Sequence, residues 1–318
     1  MPQRILGVHW PYIPDAALRR LEANPFGFTV RRLPLHPSPA DMASCEIVFG
    51  TPDPTVLRDA TSLRWLATPS AGVEPYLDPA LYPHPILLTN SSGGYGVGIG
   101  EFLLTTTLML YKRMPEYHEQ QLRKVWKYIG QVRAVQGARV TVVGLGDIGS
   151  AYARRMHALG AVVTGVRRHA GDCPPYCAAL YPTDRLDEAL AGADIVALCL
   201  PGTKETAGIL DRRRLEALGA GCVVLNIGRG SALDQDALIE LLHAGRLGGA
   251  ALDVAMPEPL PPDHPLWDCP HLILTPHVSG NQSLPLTLDL IGKQFYEELE
   301  RYANGRPLLH LVDRALGY

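Results

Sequence analysis

The chain has 318 residues, 47% of them hydrophobic and 19% charged, and a formal net charge of -3. Its length favours two domains over a single core, and its hydrophobic balance excludes a disordered chain. The charge excludes a basic field for gripping nucleic acid or an anionic membrane, and no apolar run approaches a bilayer span. The six cysteines form neither a disulfide framework nor a metal or redox spacing; Cys199 and Cys222 lie in strand-like apolar runs, and Cys173 and Cys177 flank Pro-Pro-Tyr. Reduced thiols, no metal site, no signal peptide and a cytoplasmic location are the expectations.

In chain order, strands are expected over Arg4–Val8, Phe28–Leu33, Ile47–Phe49, Trp65–Thr68 and Ile86–Leu88, with a helix over Asp15–Glu22. This alternation describes a small α/β layer on a largely parallel sheet. The glycine-rich passage Ser92–Gly100 reads as a hinge or crossover, and Glu101–Lys127 as mainly helical, kinked or restarted at Pro115. From Ala138 the alternation sharpens. Apolar runs at Arg139–Val143, Ala161–Val166, Asp194–Leu198, Cys222–Asn226, Gly249–Leu252 and Leu272–Leu274 alternate with helical patterns, as in a doubly wound parallel sheet covered on both faces. The segment Leu284–Tyr302 reads as a helix returning to the first domain. The expected domains are therefore 1–98 with 282–318, and 99–281.

The most specific local signal is Gly144-Leu-Gly146-Asp147-Ile148-Gly149, between the apolar run Val140–Val143 and a helical pattern. In that context a G-x-G-x-x-G run is a dinucleotide fingerprint. Gly144 permits a tight turn, Gly146 admits a pyrophosphate to the backbone, and Gly149 allows close helix–strand packing. The helix start at Asp147 and Ile148 offers free N–H groups to the anion. At the end of the next strand an NAD-binding chain places Asp or Glu, but here the sequence reads Val166-Arg167-Arg168-His169. Two guanidinium groups suit a 2′-phosphate, so NADP(H) is the preferred cofactor, with NAD(H) still possible.

A second set of motifs comprises Asn226-Ile227-Gly228-Arg229-Gly230, Ala251-Leu-Asp253-Val with Pro257-Glu258-Pro259, and Leu274-Thr-Pro-His277. Ser70-Ala71-Gly72-Val73-Glu74, Gly100-Glu101-Phe-Leu and Leu200-Pro201-Gly-Thr-Lys-Glu-Thr206 accompany it. In order and spacing this resembles the D-isomer-specific 2-hydroxyacid dehydrogenase family, and within it glyoxylate/hydroxypyruvate reductases are most similar. The resemblance implies a Rossmann-type doubly wound parallel sheet plus a smaller flavodoxin-like α/β substrate domain. It also implies a homodimer, to which the segment after Glu101 would supply an arm, and a small 2-oxo or 2-hydroxy acid as substrate.

The resemblance assigns His277 as the acid/base group, Glu258 as the carboxylate stabilising its imidazolium, and Arg229 as the clamp on the substrate carboxylate. The backbone N–H groups of Ala71, Gly72 and Val73 form the second clamp. Glu74 stands where Asp or Asn is frequent, which leaves the backbone clamp untouched. Asp253 would accept the nicotinamide carboxamide, Leu200, Pro201 and Thr206 would line the adenine and ribose side, and Ile227 and Gly228 would also border the cofactor. Singly, each of these residues also has a structural reading; in order, with a dinucleotide fingerprint, the functional reading prevails. His271 competes with His277 but precedes its strand. Trp10, Tyr76, Tyr95 and Trp267 are open between pocket and core, with core packing the default. Two alternatives stay open: a dehydrogenase of a larger 2-hydroxy acid such as phosphoglycerate, and a dinucleotide-sensing binding protein or corepressor on the same fold.

Overall fold

The computed structural model describes residues 3–169 and 171–318. The chain divides into two compact units, one running to Tyr95 and resuming over Gln282–Tyr318, the other comprising Gly96–Asn281.

The first unit begins β1 (Arg4–His9), α1 (Asp15–Glu22), β2 (Phe28–Arg32), α2 (Pro39–Ala43), β3 (Ile47–Gly50), β4 (Trp65–Ala67) and β5 (Leu87–Thr89). The strands form one parallel sheet in the order β2-β1-β3-β4-β5. β3 and β4 are buried throughout, as befits central strands covered on both faces.

The second unit holds α3 (Gly96–Tyr111), α4 (Met114–Leu122), β6 (Arg139–Val143), α5 (Asp147–Ala158), β7 (Val162–Arg167), β8 (Ala179–Pro182), α6 (Leu186–Leu190), β9 (Ile195–Leu198), α7 (Arg212–Ala217), β10 (Val223–Asn226), α8 (Gln235–His243), β11 (Gly249–Leu252) and β12 (Leu272–Leu274). Its seven strands form a parallel sheet in the order β12-β11-β10-β9-β6-β7-β8. The strand order reverses beside β6, which creates the crevice where ligands of such sheets bind. The chain then returns to the first unit through α9 (Pro285–Ala303). There Phe295 stacks on Phe49 at 3.8 Å between ring centroids.

Two readings of the sequence need correction. The glycine-rich run does hold the crossover between the two units, at Tyr95–Gly96, but Gly96, Gly98 and Gly100 already lie in the first turns of α3 rather than in a loop. Two of these glycines serve close helix packing. A Cβ at Gly96 would lie 2.3 Å from Asp147 Oδ1, and one at Gly100 would lie 3.2 Å from Ala151 Cβ.

The long helical reading of 101–127 also fails in part. The chain breaks at Arg113, whose φ of +56° is left-handed, and restarts with Pro115 in the first turn of α4. After Leu122 it leaves the helix, and Lys124 is again left-handed at +56°. Leu122, Val125, Trp126 and Tyr128 are exposed, so they form no buried stripe to hold a helix there.

The edge strand β8 was not expected; its residues are all half-buried and carry no alternating signal. Trp10, Tyr76 and Tyr95 are core residues of the first unit, whereas Trp267 is half-exposed with its indole N–H on the Pro261 carbonyl at 2.8 Å. Among the described residues no helix is long and apolar enough to cross a membrane.

Candidate active site

The glycine fingerprint lies at the C-terminal end of β6, beside the switch in strand order. Gly144 has φ +100°, and a Cβ there would lie 2.4 Å from the Cys199 carbonyl at the end of β9. Gly149 is tighter still, since a Cβ would sit 1.9 Å from the Gly144 carbonyl. Gly146 differs: a Cβ there would meet nothing within 4 Å. That open face lies at the N-cap of α5, which has no side-chain cap. The first N–H groups of α5, including those of Asp147 and Ile148, therefore face an open approach suited to a dinucleotide pyrophosphate. Asp147 accepts the Gly96 N–H at 2.7 Å and so ties α5 to the start of α3.

The two arginines at the end of β7 have different surroundings. Arg167 donates to the Asp172 carbonyl at 3.3 Å, and a Cβ at Gly171 would lie 2.1 Å from its Nη2. Arg168 forms an ion pair with Glu205, whose side chain is 68% exposed. No carboxylate side chain occupies 166–169, where a ribose hydroxyl acceptor would stand. Leu200 is buried and Pro201 half-buried. The Thr206 hydroxyl is spent on the loop itself, donating to the Pro201 carbonyl at 2.7 Å.

At the end of β10 a wholly buried Asn226 organises the next turn. Its Oδ1 accepts the Gly228 N–H at 3.1 Å and its Nδ2 donates to the Arg229 carbonyl at 2.9 Å. Ile227 and Gly228 are buried, and Arg229 Nη1 bonds the Gly228 carbonyl at 2.7 Å. A Cβ at Gly230 would lie 2.3 Å from the Ala255 carbonyl, so the arginine turn packs directly on the segment leading to Glu258. Glu258 Oε1 accepts the Ala255 N–H at 2.9 Å, and Oε2 lies 2.8 Å from His277 Nδ1. Gln235 braces the same segment, pairing with both the N–H and the carbonyl of Met256.

His277 adopts φ +53°, a region that non-glycine residues seldom enter, and its N–H donates to the Asp253 carbonyl at 2.8 Å. The Asp253 carboxylate is 1% exposed and holds the same loop through Thr275 Oγ1 at 2.6 Å, the Val278 N–H at 2.8 Å and the Ser279 N–H at 2.9 Å. Its observed hydrogen bonds thus shape the turn that presents His277. With Nδ1 engaged by Glu258, Nε2 is the nitrogen left to exchange a proton. His271 lies elsewhere, paired with Glu116 at 3.1 Å. Of the residues expected to form the site, Glu258 and His277 are brought into direct contact and Arg229 lies on the turn packed beside them; Asn226, Gln235 and Thr275 were not singled out in the sequence. A polar residue ending an apolar strand, as Asn226 does, was the available signal.

In the first unit, the loop after β4 has every carbonyl from Thr68 to Gly72 anchored. Ser91 Oγ bonds Thr68 O at 2.8 Å, and Tyr95 Oη and Gln282 Nε2 bond Pro69 O. The Ser91 N–H bonds Ser70 O at 2.9 Å, Asn90 Nδ2 bonds Ala71 O at 3.0 Å, and Ser70 Oγ bonds Gly72 O at 2.8 Å. In a planar trans peptide the N–H points opposite the carbonyl. Anchored carbonyls at 70–72 therefore turn the N–H groups of Ala71, Gly72 and Val73 away from the anchors. Among the described residues these N–H groups meet no acceptor.

Comparison with known proteins gives the family. Residues 104–279 match the model of the D-isomer specific 2-hydroxyacid dehydrogenase NAD binding domain. The chain belongs to the D-isomer specific 2-hydroxyacid dehydrogenase family. A glyoxylate/hydroxypyruvate reductase of Pectobacterium carotovorum is 32% identical over 283 residues, covering 84% of this chain and 86% of the relative. A family structure from Xanthobacter autotrophicus, in complex with NADPH and MES, superposes with a TM-score of 0.84 at 26% identity, covering all of both chains. An NADPH-dependent glyoxylate/hydroxypyruvate reductase of Sinorhizobium meliloti, in complex with NADP and sulfate, gives 0.85 at 25% identity, over 99% of this chain and all of the other. This dehydrogenase is accordingly an NAD(P)-dependent oxidoreductase of 2-hydroxy acids.

Proposed function

We propose that the enzyme reduces a small 2-oxo acid of the glyoxylate or hydroxypyruvate type, using NADPH. The observation that carries the reading is the Glu258–His277 pair at 2.8 Å, on a segment packed against the Arg229 turn. The reduced dinucleotide, when bound, supplies the hydride. His277 Nε2 donates the proton that the keto oxygen needs, while Glu258 fixes Nδ1–H and stabilises the imidazolium from which that proton leaves. Arg229 holds the substrate carboxylate and polarises the ketone as negative charge develops. The N–H groups of Ala71, Gly72 and Val73 bind the carboxylate as well. Asp253 and the buried turn at Ile227 and Gly228 border the nicotinamide, and Leu200, Pro201 and Thr206 the adenine side.

The preference for NADPH rests on Arg167 and Arg168 and on the missing carboxylate at the end of β7; the glyoxylate/hydroxypyruvate reductases among its relatives support the substrate class. The test is oxidation of NADPH, and separately NADH, with glyoxylate, hydroxypyruvate, pyruvate and phenylpyruvate, in wild type and Arg229→Gln. Turnover with a small acid, faster with NADPH and reduced by orders of magnitude in Arg229→Gln with dinucleotide affinity kept, is the expected result. Binding of the dinucleotide without turnover of any 2-oxo acid would favour a sensing role.

We also infer a homodimer built through 122–132. Leu122 at the end of α4 and Val125, Trp126, Tyr128 and Val132 in the irregular stretch after it expose apolar surface, with Trp126 fully exposed. Such a patch suits a second copy of the chain. Light scattering should report a dimer for wild type and a monomer for Trp126→Asp.

A further inference from the structure

The anchoring of the carboxylate loop has a feature that the assigned site residues do not account for. The chain leaves the first unit at Tyr95 and re-enters it at Gln282. Both residues end on the same atom, the Pro69 carbonyl: Tyr95 through its hydroxyl, and Gln282 through Nε2 at 3.4 Å. Gln282 Oε1 in turn accepts the indole N–H of Trp10, which packs edge-on against Phe49 at 5.2 Å. Trp10 and Tyr95 are buried, so the whole arrangement is fixed by the core. Burial pushes the Tyr95 phenol up to about 12, which keeps it a hydrogen-bond donor at any ordinary pH.

Pro69 is where such anchoring matters most. Its ring fixes φ, so the remaining freedom of the residue is the rotation that swings its carbonyl and the Ser70 N–H together. Holding that carbonyl sets the plane from which Ser70, Ala71, Gly72 and Val73 continue. The next two carbonyls, of Ser70 and Ala71, are held from the end of β5, by Ser91 and Asn90, and that of Gly72 by the Ser70 hydroxyl. Pro69 is held by Tyr95 and Gln282 instead.

We propose that Tyr95 and Gln282 are positioning residues for the substrate carboxylate, acting together through the Pro69 carbonyl to set the direction of the N–H groups that follow. The inference rests on the assignment of Ala71–Val73 as a carboxylate clamp. Neither residue touches substrate; each orients the backbone that does. Replacing either leaves Pro69 O with one donor rather than none, so the single variants act mildly and the double variant frees the peptide.

The experiment compares wild type, Tyr95→Phe, Gln282→Glu and the double variant. Gln282→Glu keeps an acceptor for Trp10 but presents no N–H to Pro69. Three quantities are read: the dissociation constant of oxalate from the NADPH-loaded enzyme by calorimetry, KM and kcat for glyoxylate, and the thermal midpoint. A weakening of oxalate binding and a rise in KM of roughly three- to tenfold per variant is expected, as for the loss of one hydrogen bond. The double variant should exceed either single, with kcat at saturation and NADPH affinity held within about twofold. A purely structural role would lower the midpoint and kcat while leaving oxalate affinity in the folded fraction unchanged, and that outcome overturns the proposal. If wild type binds oxalate but reduces no 2-oxo acid, the proposed reaction fails while the oxalate comparison still decides the roles of Tyr95 and Gln282.

Discussion

Glu258 uses its two oxygens for two different purposes: Oε1 takes the Ala255 N–H at 2.9 Å, and Oε2 meets His277 Nδ1 at 2.8 Å. The carboxylate that pairs with the imidazole is thereby fixed to the backbone three residues upstream, and that stretch carries the Gly230 packing contact.

Replacing His277 by Gln should lower kcat by about 10²–10⁴, the usual worth of a positioned proton donor, without weakening dinucleotide binding. Glu258→Gln should cost less, since an amide oxygen still accepts from Nδ1–H but contributes no charge to the imidazolium. Steady-state kinetics with a cofactor titration by protein fluorescence measures both; equal losses in the two variants would contradict this order.

The fingerprint glycines should separate cleanly. Gly149→Ala places a methyl 1.9 Å from the Gly144 carbonyl, so the thermal midpoint should drop by several degrees. Gly146→Ala meets nothing within 4 Å and should leave the midpoint unchanged, yet it should weaken NADPH binding at least tenfold by filling the approach to α5. Calorimetric melting and a binding titration check the pair. A Gly146→Ala variant of unaltered affinity would place the pyrophosphate elsewhere.

Glu205 competes for Arg168. Removing its charge in Glu205→Gln should tighten NADPH several-fold and leave NADH nearly unchanged, because only a 2′-phosphate benefits from the released guanidinium. Arg168→Ala should do the reverse, weakening NADPH by about tenfold or more. The ratio of the two dissociation constants is the readout, and an unchanged ratio in Arg168→Ala would assign the preference to Arg167 alone.

Acid should loosen the first unit through Glu46. Arg4 grips this carboxylate with Nη2 at 2.7 Å and Nε at 2.9 Å, and that bond holds it below its ordinary value of 4.5. A carboxylate depressed in the folded state adds stability above 4.5 and loses it as pH falls through the folded value. Glu46→Gln should therefore be less stable than wild type at pH 7, by roughly 1 kcal/mol after solvent screening, and the gap should be narrower at pH 3. Urea unfolding at the two pH values measures this, and a gap independent of pH would dismiss the ion pair as its source.

Much of this molecule could be read before it was seen, for reasons visible in particular residues. Val140–Val143 and Val223–Asn226 are continuous apolar runs because strands covered on both faces demand them. Arg229, Glu258 and His277 stand beside glycines, prolines and strand ends that constrain where they lie. The two segments 92–100 and 101–127 were legible only in part. Glycine in quantity reads as flexibility, but the small size of Gly96 and Gly100 is used for contact with Asp147 and Ala151. Leu122, Val125, Trp126 and Tyr128 carry apolar side chains that stay exposed, so composition alone gave a false helical signal beyond Leu122. The supporting amides of Gln235 and Gln282 were hidden for another reason: each acts on backbone distant in sequence and made adjacent only by folding.

The strand order of the larger sheet places β7, with Arg167, five positions from β12, which leads into His277. At the usual strand spacing that is about 24 Å. Each end has its own scaffolding, Glu205 and the Asp172 carbonyl for the arginines, Asp253 and Glu258 for the histidine. Substitutions at the arginine end and at the histidine end should therefore have effects that add rather than interfere, so that each end can be altered by design without disturbing the other.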